Sequence, residues 1–151
     1  MHHAHPPGRP EAALPHIPVG PVLGGVPRQT GRTAGPWQLP CSPAACRRAR
    51  VQVRAVLAEW NLQHHTHTAE LLVSELVGNA LIHADGPLHL TVEHRHTLRC
   101  RVEDCSRRLP LMRSAALDDE NGRGLTLVHL MSDDWGVDHT SRGKAVWFEL
   151  G

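Results

Sequence analysis

The chain has 151 residues, of which 40% are hydrophobic and 21% charged, and its formal net charge is +1. This fits one ordinary globular domain and offers no polyanion-binding signature. No apolar run approaches the roughly 18 residues of a membrane span. Met1 to Pro10 carries His, Pro and Arg instead of an apolar export signal, so the four cysteines are expected as free thiols in a reducing, cytoplasmic setting.

Nine of the twelve prolines and six of the thirteen glycines fall in residues 1–40, with only Arg9, Glu11, Arg28 and Arg32 as charged residues. Proline removes backbone donors and clashes with a preceding helical turn, and the stretch has too few large apolar residues for a core. Residues 1–34 are therefore read as a flexible tail and 35–151 as the folded domain. Trp37-Gln38-Leu39 is a short alternating run that fits a first strand. Ser42 is placed to cap the helix that follows.

From Ala44 to Trp60 the apolar positions Cys46, Ala49, Val53, Val56, Leu57 and Trp60 recur at helical spacing. Arg47, Arg50 and Arg54 lie on the other side, as a solvated basic face or a docking face. Asn61 to His67 is polar and reads as a loop. Thr68 precedes the clearest helix, in which Leu72, Leu76 and Ala80 form one stripe, and Asp85-Gly86-Pro87 ends it. Leu88–His94 and Leu98–Glu103 alternate around a turn near Arg95-His96, the pattern of a hairpin. Residues 106–121 are polar and irregular. Gly122-Arg123-Gly124 opens a third helix, Leu125–Met131. Trp135–His139 and Lys144–Leu150 form a last hairpin. This order predicts an α+β two-layer sandwich, with helices packed on one face of a mostly antiparallel sheet.

Three places carry chemistry. Glu75, Asn79 and His83 are spaced i, i+4, i+8, which puts a carboxylate, an amide and an imidazole along one side of a helix. A carboxylate there can orient or deprotonate an attacking group, and an amide oxygen suits Mg²⁺. A solvated face of an amphipathic helix has the same pattern. Asp104 stands where a strand yields to a loop; it fits an acceptor for an adenine amino group or an ordinary strand-end turn. Gly122 and Gly124 flank Arg123 at a helix start, where free N–H groups attract phosphate, although a lone Gly-x-Gly is common in loops. The thirteen histidines and four cysteines show no Cys-x-x-Cys and no His-Glu-x-x-His, so a metal centre is not expected.

Taken together, Glu-x-x-x-Asn on a helix, Asp at a strand end and a loop closing on Gly-x-Gly-Leu resemble the GHKL (histidine kinase-like) ATPase domain. More closely, they resemble the bacterial anti-sigma-factor serine-protein kinase family. Glu70–His83, Val102–Pro110, Asp118–Val128 and the closing run Asp134-Trp135-Gly136-Val137 to Leu150 carry the resemblance, over most of residues 37–151.

The resemblance implies ATP and Mg²⁺ as cofactors, Glu75 as catalytic base and Asn79 as the Mg²⁺ ligand. It implies Asp104 as the reader of adenine, and His83, Ser106, Gly122, Arg123, Gly124, Leu125 and Thr126 as further nucleotide contacts. The loop 107–121 becomes the ATP lid. The family's fuller first glycine box is Asp-x-Gly-x-Gly; here Asp104 is followed by Cys105, Ser106, Arg107 and Arg108, so Ser106 has a side chain where glycine lets a nucleotide lie close.

Two functions follow as expectations. One is a kinase that phosphorylates a serine of an antagonist protein and so controls a sigma factor. The other is a sequestering module that binds a sigma factor or an antagonist with little or no ATP. The family commonly forms homodimers. No helix-turn-helix spacing accompanies the Arg47/Arg50/Arg54 face, so direct nucleic-acid contact is not expected.

Overall fold

The computed structural model describes residues 31–83, 85–107 and 123–151. Five strands form one sheet in the order β1-β2-β3-β5-β4: β1 Arg32–Leu39, β2 Leu88–His94, β3 Leu98–Asp104, β4 Asp134–His139 and β5 Lys144–Leu150. Every neighbouring pair is antiparallel. Three helices, α1 Ala44–Glu59, α2 Thr66–His83 and α3 Arg123–Met131, cover one face. This is the two-layer α+β sandwich that the order of elements predicts.

Period-2 alternation decides what each strand turns toward the helices. Leu88, Leu90 and Val92 of β2, Leu98, Cys100 and Val102 of β3, and Val146, Phe148 and Leu150 of β5 all enter one core. They meet Ala49, Val53 and Leu57 of α1 and Leu72, Leu76 and Ala80 of α2. On the opposite face of β5, the fully buried Trp147 lies against Gly136, its registered neighbour on β4. A Cβ at Gly136 would sit 2.6 Å from the indole ring, so only glycine admits this packing. The Arg99 guanidinium stands 4.1 Å from the Trp147 ring centroid and pairs with Glu149 at 2.6 Å.

Several boundaries differ from the sequence reading. The first strand starts at Arg32, not Trp37. Gly35 and Pro36 obscure its pattern, but they occupy a register shift between Ala34 and Trp37, beyond which pairing with β2 continues. Ser42 does not cap α1 through its hydroxyl; its carbonyl accepts from the Ala45 N–H at 2.9 Å, and Pro43 occupies the cap position. The Asn61–His67 loop is shorter than expected, because a 3₁₀ turn at Gln63–His65 leads directly into α2 at Thr66. Asn61 ends α1 with φ 59, and the Leu62 N–H reaches back to the Leu57 carbonyl at 2.8 Å, a Schellman closure.

Arg50 and Arg54 are not simply solvated. Arg50 donates to Ser74 Oγ at 3.0 Å and Arg54 pairs with Glu70, which ties α1 to α2. Among the described residues, no helix is long and apolar enough to cross a membrane.

The position of β1 yields a test of the domain edge. Arg32, Thr33 and Ala34 pair with His94, Glu93 and Val92. Cutting the chain after residue 34 removes those three pairs, and each cross-strand pair contributes about 0.2–1 kcal/mol. Thermal or urea denaturation should therefore find a chain starting at Gly35 roughly 1–2 kcal/mol less stable than one starting at Gly31.

Candidate nucleotide site

The polar side of α2 flanks its core stripe. Glu75, Asn79 and His83 are all partly buried, between the buried Leu72/Leu76/Ala80 row and solvent. Among the described residues, a Cβ added at Gly78, next to Asn79, would meet no atom within 4 Å. Partial burial raises the Glu75 carboxyl above the usual carboxylate range. Across the helix interface, burial also raises the Cys46 thiol, while Arg50 pulls it down and Glu75 pushes it up. Cys46 of α1 therefore feels the charges of both Arg50 and Glu75.

At its C-terminal end, α2 meets the segment leaving β3. Ile82, His83, Asp85, Cys105, Ser106 and Arg107 line an open cavity of about 620 Å³. The structure thus brings His83 and Ser106, which are distant in sequence, to one space. Cys105 is exposed and Cys100 is buried, with its thiol pushed up to about 12 by desolvation. Among the described residues, no three His, Cys, Asp or Glu side chains are grouped to hold a metal ion.

Asp104 stands apart from that cavity. It follows Leu98, Cys100 and Val102 on the helix-facing side of β3 and is 2% exposed. Lys144, registered opposite it on β5, is 1% exposed. The lysine Nζ lies 3.0 Å from both carboxylate oxygens. The Ser106 N–H donates to Oδ1 at 2.7 Å, and Nζ stands 3.5 Å from the Ser106 carbonyl. Oδ2 has the charge of Nζ nearby but no well-aligned hydrogen bond. Gly143 lets the β4–β5 turn close over this end, since a Cβ there would sit 2.3 Å from the Asp104 carbonyl oxygen.

Gly122 and most of the expected lid, 108–121, lie outside the described residues. Arg123 and Gly124 form the first two positions of α3, two residues earlier than the helix start expected at Leu125. The Leu125 side chain is 3% exposed and packs in the core, which leaves only its backbone for a ligand; Thr126 is partly buried. Sequence reasoning missed Lys144 as a site residue. The available signal was a cation at the start of a strand with a central apolar run, but its partner lies 40 positions away.

A layer of three helices over an antiparallel sheet, with His83 at the end of the middle helix bordering a strand-end cavity, defines an α+β domain. Residues 39–150, about three-quarters of the chain, match the family model of the histidine kinase-like ATPase domain. The chain belongs to that family. No curated protein matches it.

The raised Glu75 carboxyl has a consequence for stability. Its proton affinity is higher folded than unfolded, so the favourable linkage is complete at low pH and lost as pH rises through the folded value. Glu75→Gln removes the cost of burying the charge. It should raise the melting temperature at pH 7–8, with an advantage that shrinks toward pH 4, as thermal scans across pH would record.

Proposed function

We propose that this domain binds Mg²⁺·ATP and transfers its γ-phosphate to a serine hydroxyl of an antagonist protein, controlling a sigma factor through that partner. The observation that carries this reading is the α2 side: a carboxylate of raised proton affinity one helical turn from an amide, beside an open helix face. Family membership supplies the expectation of ATP.

The α2 residues fit Mg²⁺ and phosphate chemistry. The Asn79 amide oxygen is a hard donor of the kind Mg²⁺ accepts alongside waters and phosphate oxygens. When bound, Mg²⁺·ATP supplies the phosphoryl group and the charge neutralisation that dominates such transfers. Glu75 orients the serine hydroxyl and takes its proton as the new P–O bond forms and the bond to the β-phosphate breaks. His83 and Ser106 border the cavity beyond, and the Arg123–Gly124 start of α3 offers further phosphate contacts.

A second reading, sequestration of a sigma factor or antagonist with weak ATP binding, is favoured by one observation. Asp104, the adenine reader implied by the resemblance, is buried against Lys144. The two readings part on transfer of labelled γ-phosphate to a purified antagonist.

For the kinase reading, Glu75→Gln should lose about 10²–10⁴ in transfer rate while nucleotide affinity is retained. Asn79→Ala should lose both affinity and transfer. Equal transfer by wild type and Glu75→Gln would remove Glu75 from the reaction. Partner binding without transfer by wild type would select the sequestering module.

A further inference from the structure

The basic side of α1 divides in two. Arg50 and Arg54 turn to α2, where they meet Ser74 and Glu70. Arg47 and Arg48 are exposed, and among the described residues neither forms an ion pair. With Ala44 and Val51 they make one wall of an open groove of about 580 Å³. Trp37 and Leu39, at the end of β1, make the other.

The groove pairs an apolar floor with a cationic rim. Leu39 is buried, Trp37 is half-buried and Val51 is 51% exposed, a large apolar side chain left in solvent. Val51 lies one helical turn after Arg47 and Arg48, on their side of α1. Among the described lining residues, the two arginines are the ionisable ones. Helix α1 also begins here at Ala44, with no acidic residue in its first turn and no side-chain cap. The positive end of the helix therefore adds to the two guanidinium groups. The other wall is an edge of the sheet, and among the described residues no strand pairs with β1 on the side away from β2. Edge N–H and C=O groups along Trp37–Leu39 are open to an added strand, and Pro36 confines the addition to that stretch.

We propose that the β1–α1 groove docks an extended acidic–apolar segment of a partner protein. Its carboxylates meet Arg47 and Arg48, and an apolar side chain between them enters beside Trp37 and Val51. Charge complementarity selects this occupant. A second copy of the chain, joined groove to groove about a two-fold axis, would set four guanidinium groups against one another. The groove shares no described lining residue with the cavity beside α2, so the inference stands apart from the nucleotide reading.

The probes are short labelled synthetic peptides in which Leu and Val alternate with Asp and Glu, with Lys, or with Ser. Each is titrated with the full chain and followed by fluorescence anisotropy. Wild type should bind the acidic peptides about two- to thirtyfold tighter than the serine ones, the contribution of two exposed ion pairs. That preference should shrink as salt is added. The double variant Arg47→Glu/Arg48→Glu should reverse the order and favour the lysine peptides. Val51→Ser should weaken the acidic and serine peptides alike. Arg32→Glu/Arg95→Glu makes the same charge change at exposed positions outside the groove and should keep the wild-type order.

All these positions are exposed, so the variants should fold. Hydrogen exchange with an acidic peptide bound should slow at Trp37–Leu39 and in the first turns of α1. No binding of the acidic peptides by wild type, or no preference for them, would overturn the proposal. So would an order that survives Arg47→Glu/Arg48→Glu, or one that Arg32→Glu/Arg95→Glu reverses equally. Sedimentation showing that the groove variants break a dimer would give the face to a second copy and overturn it as well. Phosphoryl transfer is measured separately, so either reading can fail while the other stands.

Discussion

The buried pair of Asp104 and Lys144 governs how this domain can use its fold. Both residues continue the core-facing rows of their strands, Leu98-Cys100-Val102 and Val146-Phe148-Leu150. Alternation therefore drives a carboxylate and an ammonium into the end of the apolar layer. Neither could be buried there alone, because an unpaired buried charge costs several kcal/mol. Each makes the other tolerable, and the β3–β5 register brings them together. The turn before β5 then closes over the pair, with Gly143 allowing backbone to meet backbone.

The site consequently has two ends of different character. Along α2, Glu75, Asn79 and His83 sit at the border between core and solvent, where a carboxylate gains proton affinity and still reaches a partner. Arg50 of α1 is held against α2 by its bond to Ser74, and Cys46 of α1 feels both Arg50 and Glu75. At the sheet end, charge is already satisfied within the protein.

Much of this was legible in the sequence, for reasons that differ by element. Leu88–His94 was readable to the residue by its alternation, and Lys144–Leu150 by an apolar run after the Ser141-Arg142-Gly143 turn. Helix α2 was readable by its apolar stripe, although Thr66, His67 and Thr68 were missed where a polar 3₁₀ turn runs into it. The start of β1 was hidden because Gly35 and Pro36 interrupt the pattern at a bulge, while pairing with His94, Glu93 and Val92 holds the strand together. The spacing of Glu75, Asn79 and His83 was a local signal. The Asp104–Lys144 pair was not, since it depends on a register between strands separated by the expected lid, helix α3 and β4.

The departures from the family pattern fall on one side. Ser106 replaces a glycine of the first box, and its backbone now serves the ion pair, donating to Asp104 from its N–H and facing Lys144 with its carbonyl. The Ser106 backbone and Lys144 thus meet at the Asp104 carboxylate and knit the strand end to itself. The α2 face has no comparable change: Glu75 and Asn79 keep their spacing and their half-buried setting. The two ends therefore differ in kind: Glu75 and Asn79 stay at the border between core and solvent, while the Asp104 carboxylate is held inside the sheet end by Lys144 and the Ser106 N–H.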